Sequence, residues 1–189
     1  PAVELAPLLL GVRLLHEAPD GGVRAGFIVE TEAYPGGDDL ASHTAGGRRT
    51  PRTEAMYLAG GAVYVYRIYG IHDCLNVVSG PEESGEAVLI RALIPDKGLE
   101  TIRRARPGVR DRDLLRGPGR LCRGLSIDRT LDRTRFGRGV LRLQPGSLQG
   151  PVVTAPRVGI DGAGEWASKP WRFLAGDPFW WSVRPPSAE

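Results

Sequence analysis

At 189 residues, of which 41% are hydrophobic, the chain has the size of one domain and can bury an apolar core. Its two cysteines, Cys74 and Cys122, are too few for a disulfide framework or a four-cysteine zinc site, which fits a reducing compartment. No apolar run approaches the length of a membrane span and no signal peptide is visible, so we expect no membrane partner. Because the sequence begins at Pro1 instead of a methionine, we expect residues to precede it in the natural protein.

The basic residues are unevenly chosen. The net charge is only +3, yet Lys97 and Lys169 are the sole lysines among 25 basic residues, and the rest are arginines. Arginine favours bidentate contacts with phosphate, although a GC-rich genome gives the same bias.

The first elements in chain order form a helix and a hairpin. The apolar segment 3–10 predicts a short helix interrupted by Pro7. Two strands, 12–17 and 23–34, flank a Pro-Asp-Gly-Gly turn, so they predict a β-hairpin.

The second strand of this hairpin carries the most informative pattern. With period-2 alternation, one face holds Ile28, Glu30, Glu32 and Tyr34, and the other holds Val29, Thr31 and Ala33. Two carboxylates and a tyrosine would then line one wall, followed by a loop with His43 and three arginines. This pattern suits catalysis on a polyanion, whereas a solvated strand face is the structural alternative.

The remaining elements alternate short strands with short helices. Thr53 is predicted to cap a helix over 54–58. The predicted strands are 62–69, 74–79, 85–94, 140–143, 152–154 and 157–160, and the further predicted helices are 97–106 and 120–125. The aromatic end, 164–173, is expected to pack over the sheet. These elements predict one mixed α+β domain over residues 1–189, with short helices around a sheet.

Tyrosines on one strand give a second signal. Tyr64 and Tyr66 share a face, and Tyr69 ends the strand beside Gly70. Aromatic residues on strands are usually core residues or cross-strand partners, but they also stack on nucleic-acid bases.

The sequence resembles the alkyladenine (3-methyladenine) DNA glycosylase family along nearly its whole length. The residues that carry the resemblance are Val29-Glu30-Thr31-Glu32-Ala33-Tyr34, Ser42-His43, Gly46-Gly47-Arg48, Thr50-Pro51-Arg52, Tyr64-Val65-Tyr66, Tyr69-Gly70, Cys74, Asn76, Leu89-Ile90-Arg91-Ala92-Leu93, Gly117-Pro118, Leu121-Cys122, Gly164-Glu165-Trp166-Ala167 and Lys169-Pro170. The resemblance implies a curved, mainly antiparallel sheet and a monofunctional enzyme that removes alkylated or deaminated purines from double-stranded DNA. It also implies a monomer without cofactor or metal, located in the bacterial cytoplasm or nucleoid or in the eukaryotic nucleus.

The resemblance assigns roles to nine residues. Glu32 would be the general base that activates water, and Arg91 would help to hold that water. The flipped base would lie between the aromatic residues Tyr34, His43 and Tyr66.

The remaining roles concern discrimination and DNA binding. Asn76 would crowd the position of guanine's exocyclic amine, and Tyr69 would enter the duplex as a wedge. Arg48 and Arg52 would contact phosphates. The pattern departs from the family at His72-Asp73, where a bulkier aromatic pair can occur, which puts the range of lesions and the insertion into the duplex in doubt.

Three other functions remain open from the residues alone. A lyase-type glycosylase would use an amine nucleophile such as Pro1, although the zinc-binding cysteines of the formamidopyrimidine glycosylases are missing. A metal nuclease would use carboxylates without a recognised ligand spacing, namely Glu30, Glu32, Asp38 and Asp39. A non-catalytic nucleic-acid-binding module would keep the tyrosines and arginines without needing Glu32. For Glu30 we expect a structural salt bridge.

Overall fold

The computed structural model describes residues 1–185, so the last four residues of the expected domain lie outside the described range. The helices are α1 (Ala2–Leu8), α2 (Leu99–Ala105) and α3 (Pro118–Leu125). The strands are β1 (Arg13–Glu17), β2 (Val23–Tyr34), β3 (Val63–Ile68), β4 (His72–Ser79), β5 (Glu86–Lys97), β6 (Leu141–Gln144), β7 (Val153–Ala155) and β8 (Arg172–Leu174). Short 3-10 turns connect them, which confirms the predicted α+β class.

Strand β2 organises the sheet. The order is β3-β4-β5-β2-β1-β6, β8 also pairs with β2, and β7 pairs with β8. All of these pairings are antiparallel. The first half of β2 bonds to β1 and its second half bonds to β8, because the 12-residue strand is longer than either neighbour. The strand that carries Glu32 is therefore paired along both edges.

Three irregularities interrupt the ladder between β2 and β5, and two of them lie beside Glu30. Val29 has no partner between the pairs Ile28–Leu93 and Glu30–Ala92, and Arg91 is skipped between the next two pairs. Each extra residue changes which face the following side chains take, as β-bulges do near active sites. Strict alternation was therefore the wrong prediction for two residues: Ile28 packs with Ala33 in the main core, and Val29 lies in a separate cluster with Leu174.

The main core lies between the sheet and its helices. Ala2 and Ala6 of α1, Ile102 of α2 and Leu121 of α3 are all fully buried against the sheet. Thr31 of β2 belongs to this face, because its hydroxyl donates to the Ala6 carbonyl at 2.9 Å. The helices thus cover one face of β2, and Glu32 and Tyr34 point to the other.

Three predicted elements differ from the structure. Residues 157–160 form no strand, because Arg157 is occupied by side-chain and carbonyl contacts instead of a ladder. Residues 172–174 pair with β2 as part of the sheet, so the aromatic end does not simply cover it. Thr53 precedes a 3-10 turn, and its hydroxyl makes no capping bond because it contacts Thr50 instead.

Within residues 1–185, the helices are too short and too polar for any of them to cross a bilayer.

Candidate active site

A cavity of about 690 Å³ opens on the face of the sheet opposite α1. Strands β3, β4 and β5 provide much of its wall, and the segments 117–120 and 158–160 complete the rim. Six of the nine residues predicted from the sequence line it, namely Tyr34, His43, Tyr66, Tyr69, Asn76 and Arg91. The strand pairing brings these residues together although they are spread over 58 positions of the chain, from 34 to 91.

Glu32 lies directly behind the cavity wall with none of its surface exposed. Its Oε2 accepts hydrogen bonds from the Tyr34 hydroxyl at 2.9 Å and from Arg91 Nη1 at 3.2 Å. Its Oε1 accepts from the backbone N–H of Val158 at 2.7 Å. Since a carboxylate has about four acceptor positions, three donors fix Glu32 and leave one position for another donor.

Arg91 joins Glu32 to a second buried carboxylate. Its Nε donates to Glu30 at 3.1 Å while Nη1 reaches Glu32, so one guanidinium is shared between two carboxylates. Burial lowers the pKa of Arg91, but Glu32 and Glu30 outweigh this, and the pKa lies above its ordinary value. The expected structural salt bridge of Glu30 is present, and Arg172 is its second cationic partner.

Aromatic side chains form one wall of the cavity. His43 meets Tyr66 edge to face with ring centroids 4.6 Å apart, and its Nδ1 is 2.9 Å from the Tyr64 hydroxyl. Tyr64 and Tyr66 are stacked at a tilt with centroids 5.3 Å apart. Burial raises the pKa of Tyr34, and Glu32 adds to the effect. The Tyr34 hydroxyl therefore stays protonated and donates a hydrogen bond to Glu32.

His43 is held in its neutral form. Its pKa is lowered from 6.5 to about 4, first by burial and then by Arg52 and Arg48. A neutral imidazole suits an aromatic cavity wall, because an unpaired buried charge is costly.

This shift predicts a measurable dependence of stability on pH. The unfolded chain binds a proton at His43 near pH 6.5, whereas the folded chain binds it only near pH 4. The free energy of unfolding must therefore fall as the pH drops through this interval. We expect His43→Asn to lose less stability than the wild type between about pH 7 and about pH 4.5 in urea unfolding. His72→Asn, at an exposed position, is the control, and an equal loss in wild type and His43→Asn would contradict the prediction.

A hydrogen bond links Asn76 to Tyr64. The Asn76 side-chain nitrogen donates to the Tyr64 carbonyl at 3.1 Å, and Asn76 is almost fully buried at the cavity wall. Tyr64 lines the cavity and orients His43, but it was not among the predicted site residues. The sequence could have indicated Tyr64 as a site residue, because it shares a strand face with Tyr66.

The β3–β4 turn carries Tyr69 away from the core. Tyr69 is 83% exposed and adopts a left-handed backbone with φ 53°, followed by Gly70 at φ 72°. Ile71 beside it is 73% exposed. Below the turn, Arg67 and Asp73 form a cross-strand ion pair at 2.7 Å, so the departure from the family at Asp73 has a partner in this chain.

His72, the other departing residue, lies at the cavity rim against the first turn of α3. A Cβ at Gly119 would come within 2.9 Å of the His72 Cβ, so only glycine permits this contact. A ligand at this rim would therefore meet an imidazole beside Tyr69.

Arg48 and Arg52 are exposed on the loop that follows His43. Within the described part of the chain, neither forms a salt bridge, whereas Arg49 between them pairs with Glu54 and Glu83. The Arg52 guanidinium lies 5.1 Å from the centroid of the Tyr66 ring. Two guanidiniums at the edge of the aromatic wall are thus available to an anion.

The segment 157–158 supplies contacts that the sequence did not indicate. Arg157 is fully buried and binds Asp39 through two hydrogen bonds of 2.6 and 2.8 Å. It also donates to the Ala33 carbonyl and lies 4.7 Å from the centroid of the Tyr34 ring. Arg157 thereby places the Val158 N–H on Glu32.

Two of the open alternatives fit this geometry poorly. The carboxylates Glu30, Glu32 and Asp39 are each bound by a guanidinium, and residues 1–185 contain no group of three or more His, Cys, Asp or Glu side chains suited to a metal ion. The Ala2 N–H binds Glu86, and α1 packs on the side of the sheet away from Ala87 and Leu89, which line the cavity. Pro1 therefore lies on the wrong side of the sheet to act as a nucleophile there.

Comparisons with known proteins show which family this chain belongs to. The family model described as methylpurine-DNA glycosylase matches residues 1–178. The chain is 44% identical to a mouse DNA-3-methyladenine glycosylase over 97% of this chain and 59% of that protein, and 43% identical to the human one over 97% and 65%. It thus spans about three fifths of the length of these two relatives.

A bacterial relative is covered more completely. A Chlamydia pneumoniae protein, whose name provisionally assigns 3-methyladenine DNA glycosylase activity, is 45% identical over 91% of this chain and 88% of its own length. The resemblance seen in the sequence is confirmed: the chain belongs to the methylpurine-DNA glycosylase family.

Proposed function

We propose that this protein is a monofunctional DNA glycosylase that excises alkylated or deaminated purines, the 3-methyladenine class, from double-stranded DNA. It would flip the damaged base into the cavity, direct water at the N-glycosidic bond and so begin base excision repair. The observation that carries the proposal is Glu32, held by three donors directly behind an aromatic-walled cavity. Family membership supports the same function.

The cavity suits a flipped base. Enzymes that act on a base take it out of the stack and hold it between aromatic side chains with a few polar readers. Tyr34, His43 and Tyr66 would provide the walls here, with Asn76 as a polar neighbour. Arg48 and Arg52 would contact phosphates next to the flipped nucleotide.

The chemistry requires a base and a stabiliser of positive charge. Departure of the purine leaves positive charge on the sugar, which a carboxylate stabilises while it takes a proton from the attacking water. The unused acceptor position of Glu32 would receive that proton, and Arg91 would hold the water oxygen. Alkylated purines already leave readily, so neither metal nor cofactor is assigned. We expect a monomer that works where the DNA is, in the nucleoid or the nucleus.

The deciding experiment measures free base released from duplexes that carry methylated adenine, hypoxanthine or ethenoadenine. We expect release in EDTA, with an intact abasic strand and no borohydride-trapped adduct. A metal requirement would favour a nuclease, and a trapped adduct would favour a lyase. Tight binding to the lesion without release would make the chain a non-catalytic nucleic-acid-binding module.

Asn76 is proposed to exclude guanine. Asn76→Ser should make room for a 2-amino group and raise excision of guanine-derived bases relative to hypoxanthine. Undamaged bases should remain slow, because flipping a paired base is costly and its bond is stronger. Excision rates on the two lesions give the ratio, and Ser79→Ala, at a buried hydroxyl outside the cavity lining, is the control. If the ratio does not change, Asn76 has no such role.

Tyr69 is proposed to act as a wedge in the duplex. A ring inserted among the bases replaces lost stacking worth roughly 1–3 kcal/mol, so Tyr69→Ser should lower the flipping equilibrium about 5- to 150-fold. We expect near-native melting and a penalty on paired lesions that is absent from single-stranded DNA. Leu8→Ser, at another exposed apolar residue, on α1, should change neither rate. Equal losses on both substrates would argue against a wedge.

A further inference from the structure

The segment that follows β8 reaches back to the buried carboxylates. The Ser182 N–H donates to Glu30 Oε2 at 2.5 Å, and the Ser182 hydroxyl donates to Glu30 Oε1 at 2.8 Å. Ser182 lies beyond residue 178, where the family match ends. One residue near the end of the described chain thus provides two hydrogen bonds to a carboxylate in the central strand.

The other partners of Glu30 are the cations Arg91 and Arg172. Both guanidiniums donate to Oε1 at 3.1 Å, so this oxygen receives three donors and is saturated. Arg91 also approaches the Ser182 hydroxyl at 3.4 Å through Nη2, which is a weak contact. Its Nη1 remains directed at Glu32.

Ser182 occupies part of the Glu30 carboxylate and thereby limits how closely the Arg91 guanidinium can approach it. Without the hydroxyl, only the two guanidiniums would share Oε1, so each could bind it more closely, and the Nη2 group would lose its weak partner. The guanidinium would then turn further towards Glu30, because buried polar groups pair with the nearest available partner. That rotation would draw Nη1 away from Glu32.

The segment 177–183 is built to hold Ser182 in place. Trp181 is buried, its indole N–H donates to the Ala175 carbonyl at 2.9 Å, and its own carbonyl accepts from Arg116 at 2.8 Å. The Val183 carbonyl accepts from Arg172 at 2.8 Å. Anchors on both sides of Ser182 fix the backbone N–H that binds Glu30.

We propose that Ser182 is a positioning residue for the glycosylase reaction, acting through Glu30 and Arg91 on Glu32. The inference rests on the proposed function, since Glu32 is the base only in that reaction. It predicts that a change in the C-terminal segment slows the chemical step while leaving DNA binding intact.

The test measures single-turnover excision and binding of the lesion duplex for Ser182→Ala, Ser182→Thr and Ser168→Ala. We expect Ser182→Ala to bind within about twofold of the wild type and to react about 10- to 100-fold more slowly, as misplaced catalytic groups do. Threonine retains the hydroxyl and should restore the rate. Ser168, whose exposed hydroxyl donates to the Glu165 carbonyl, is the matched control and should react like the wild type.

A double-variant comparison tests the route through Glu30. If Ser182 acts through Glu30, then Glu30→Gln and Glu30→Gln/Ser182→Ala should react at the same rate, since coupled residues are not additive. Additive losses would overturn the proposed route. If Ser182→Ala does not fold, Ser182→Cys replaces it, and a weaker donor should give an intermediate rate.

A spectroscopic measurement separates this inference from the proposed function. The Nε–H resonance of Arg91 in a ¹⁵N spectrum, identified by its loss in Arg91→Lys, should shift in Ser182→Ala and stay in place in Ser168→Ala. An unchanged resonance, a wild-type rate in Ser182→Ala, or a loss that threonine does not rescue would overturn the role of Ser182. Absence of base release by the wild type would overturn the proposed function, while the resonance would still show whether Ser182 holds Arg91.

Discussion

Glu32→Gln should abolish base release and leave lesion binding largely intact. The amide keeps the size of the carboxylate but cannot take a proton from water, and loss of a general base costs on the order of 10²–10⁴ in rate. The amide oxygen can still accept from the Val158 N–H, and the amide nitrogen can donate to the Tyr34 hydroxyl oxygen, so the cavity should keep its shape. Single-turnover excision and duplex binding are the two measurements.

Glu82→Gln is the matched control, because Glu82 is exposed at a turn away from the cavity. It should react like the wild type. A near-wild-type rate in Glu32→Gln would assign the base to another residue. A parallel loss of binding would mean that the carboxylate holds the cavity open instead of activating water.

Arg157→Met should destabilise the protein strongly. Asp39 would remain fully buried without its partner, and an uncompensated charge of this kind costs about 3–5 kcal/mol. The melting temperature should fall by roughly 6–20 °C at about 2–4 °C per kcal/mol for a chain of this size. Excision should also slow in the folded fraction, because the Val158 N–H would no longer be fixed on Glu32.

The Asp39→Leu/Arg157→Met pair tests the cause of that loss. Replacing both charges with apolar side chains removes the buried, unpaired carboxylate, and such replacements are often neutral or better. The double variant should therefore melt higher than Arg157→Met, and Arg138→Met, at an exposed residue, should melt like the wild type. A double variant no more stable than Arg157→Met would show that the carbonyl contacts of Arg157, not its charge, support the fold.

The sequence predicted the four longest strands because their side chains follow local patterns. The β-branched and aromatic residues of 62–69 and 85–94 predict β3 and β5 to within a few residues of the observed ends. Strand β8 was not predicted, because its three residues form a strand through their bonds to the distant strands β2 and β7. Local propensity cannot indicate a partner 142 positions away, which is the separation between Glu30 and Arg172.

The residues of the site also divide into those that local sequence patterns predicted and those that depend on distant contacts. The sequence pointed to Glu32, Tyr34 and Tyr66 because each lies in a recognisable motif, and the structure brings them to one cavity and its wall. It did not point to Arg157 or Ser182, whose contacts depend on folding across more than 100 residues. Their functional roles, like those of the nine residues assigned by resemblance, stay predictions until the variants are measured.

The extra residue at Val29 decides which face of the sheet the later side chains of β2 take. If β2 instead paired regularly with β5 while Ile28 stayed in the main core, every side chain from Glu30 onwards would take the opposite face. Glu30, Glu32 and Tyr34 would then point at α1, and Thr31 and Ala33 would face the cavity. Regular pairing of the same residues would thus reverse the two faces of the site, so the two-against-one pairing at Val29 is as strict a requirement for this site as the identity of Glu32.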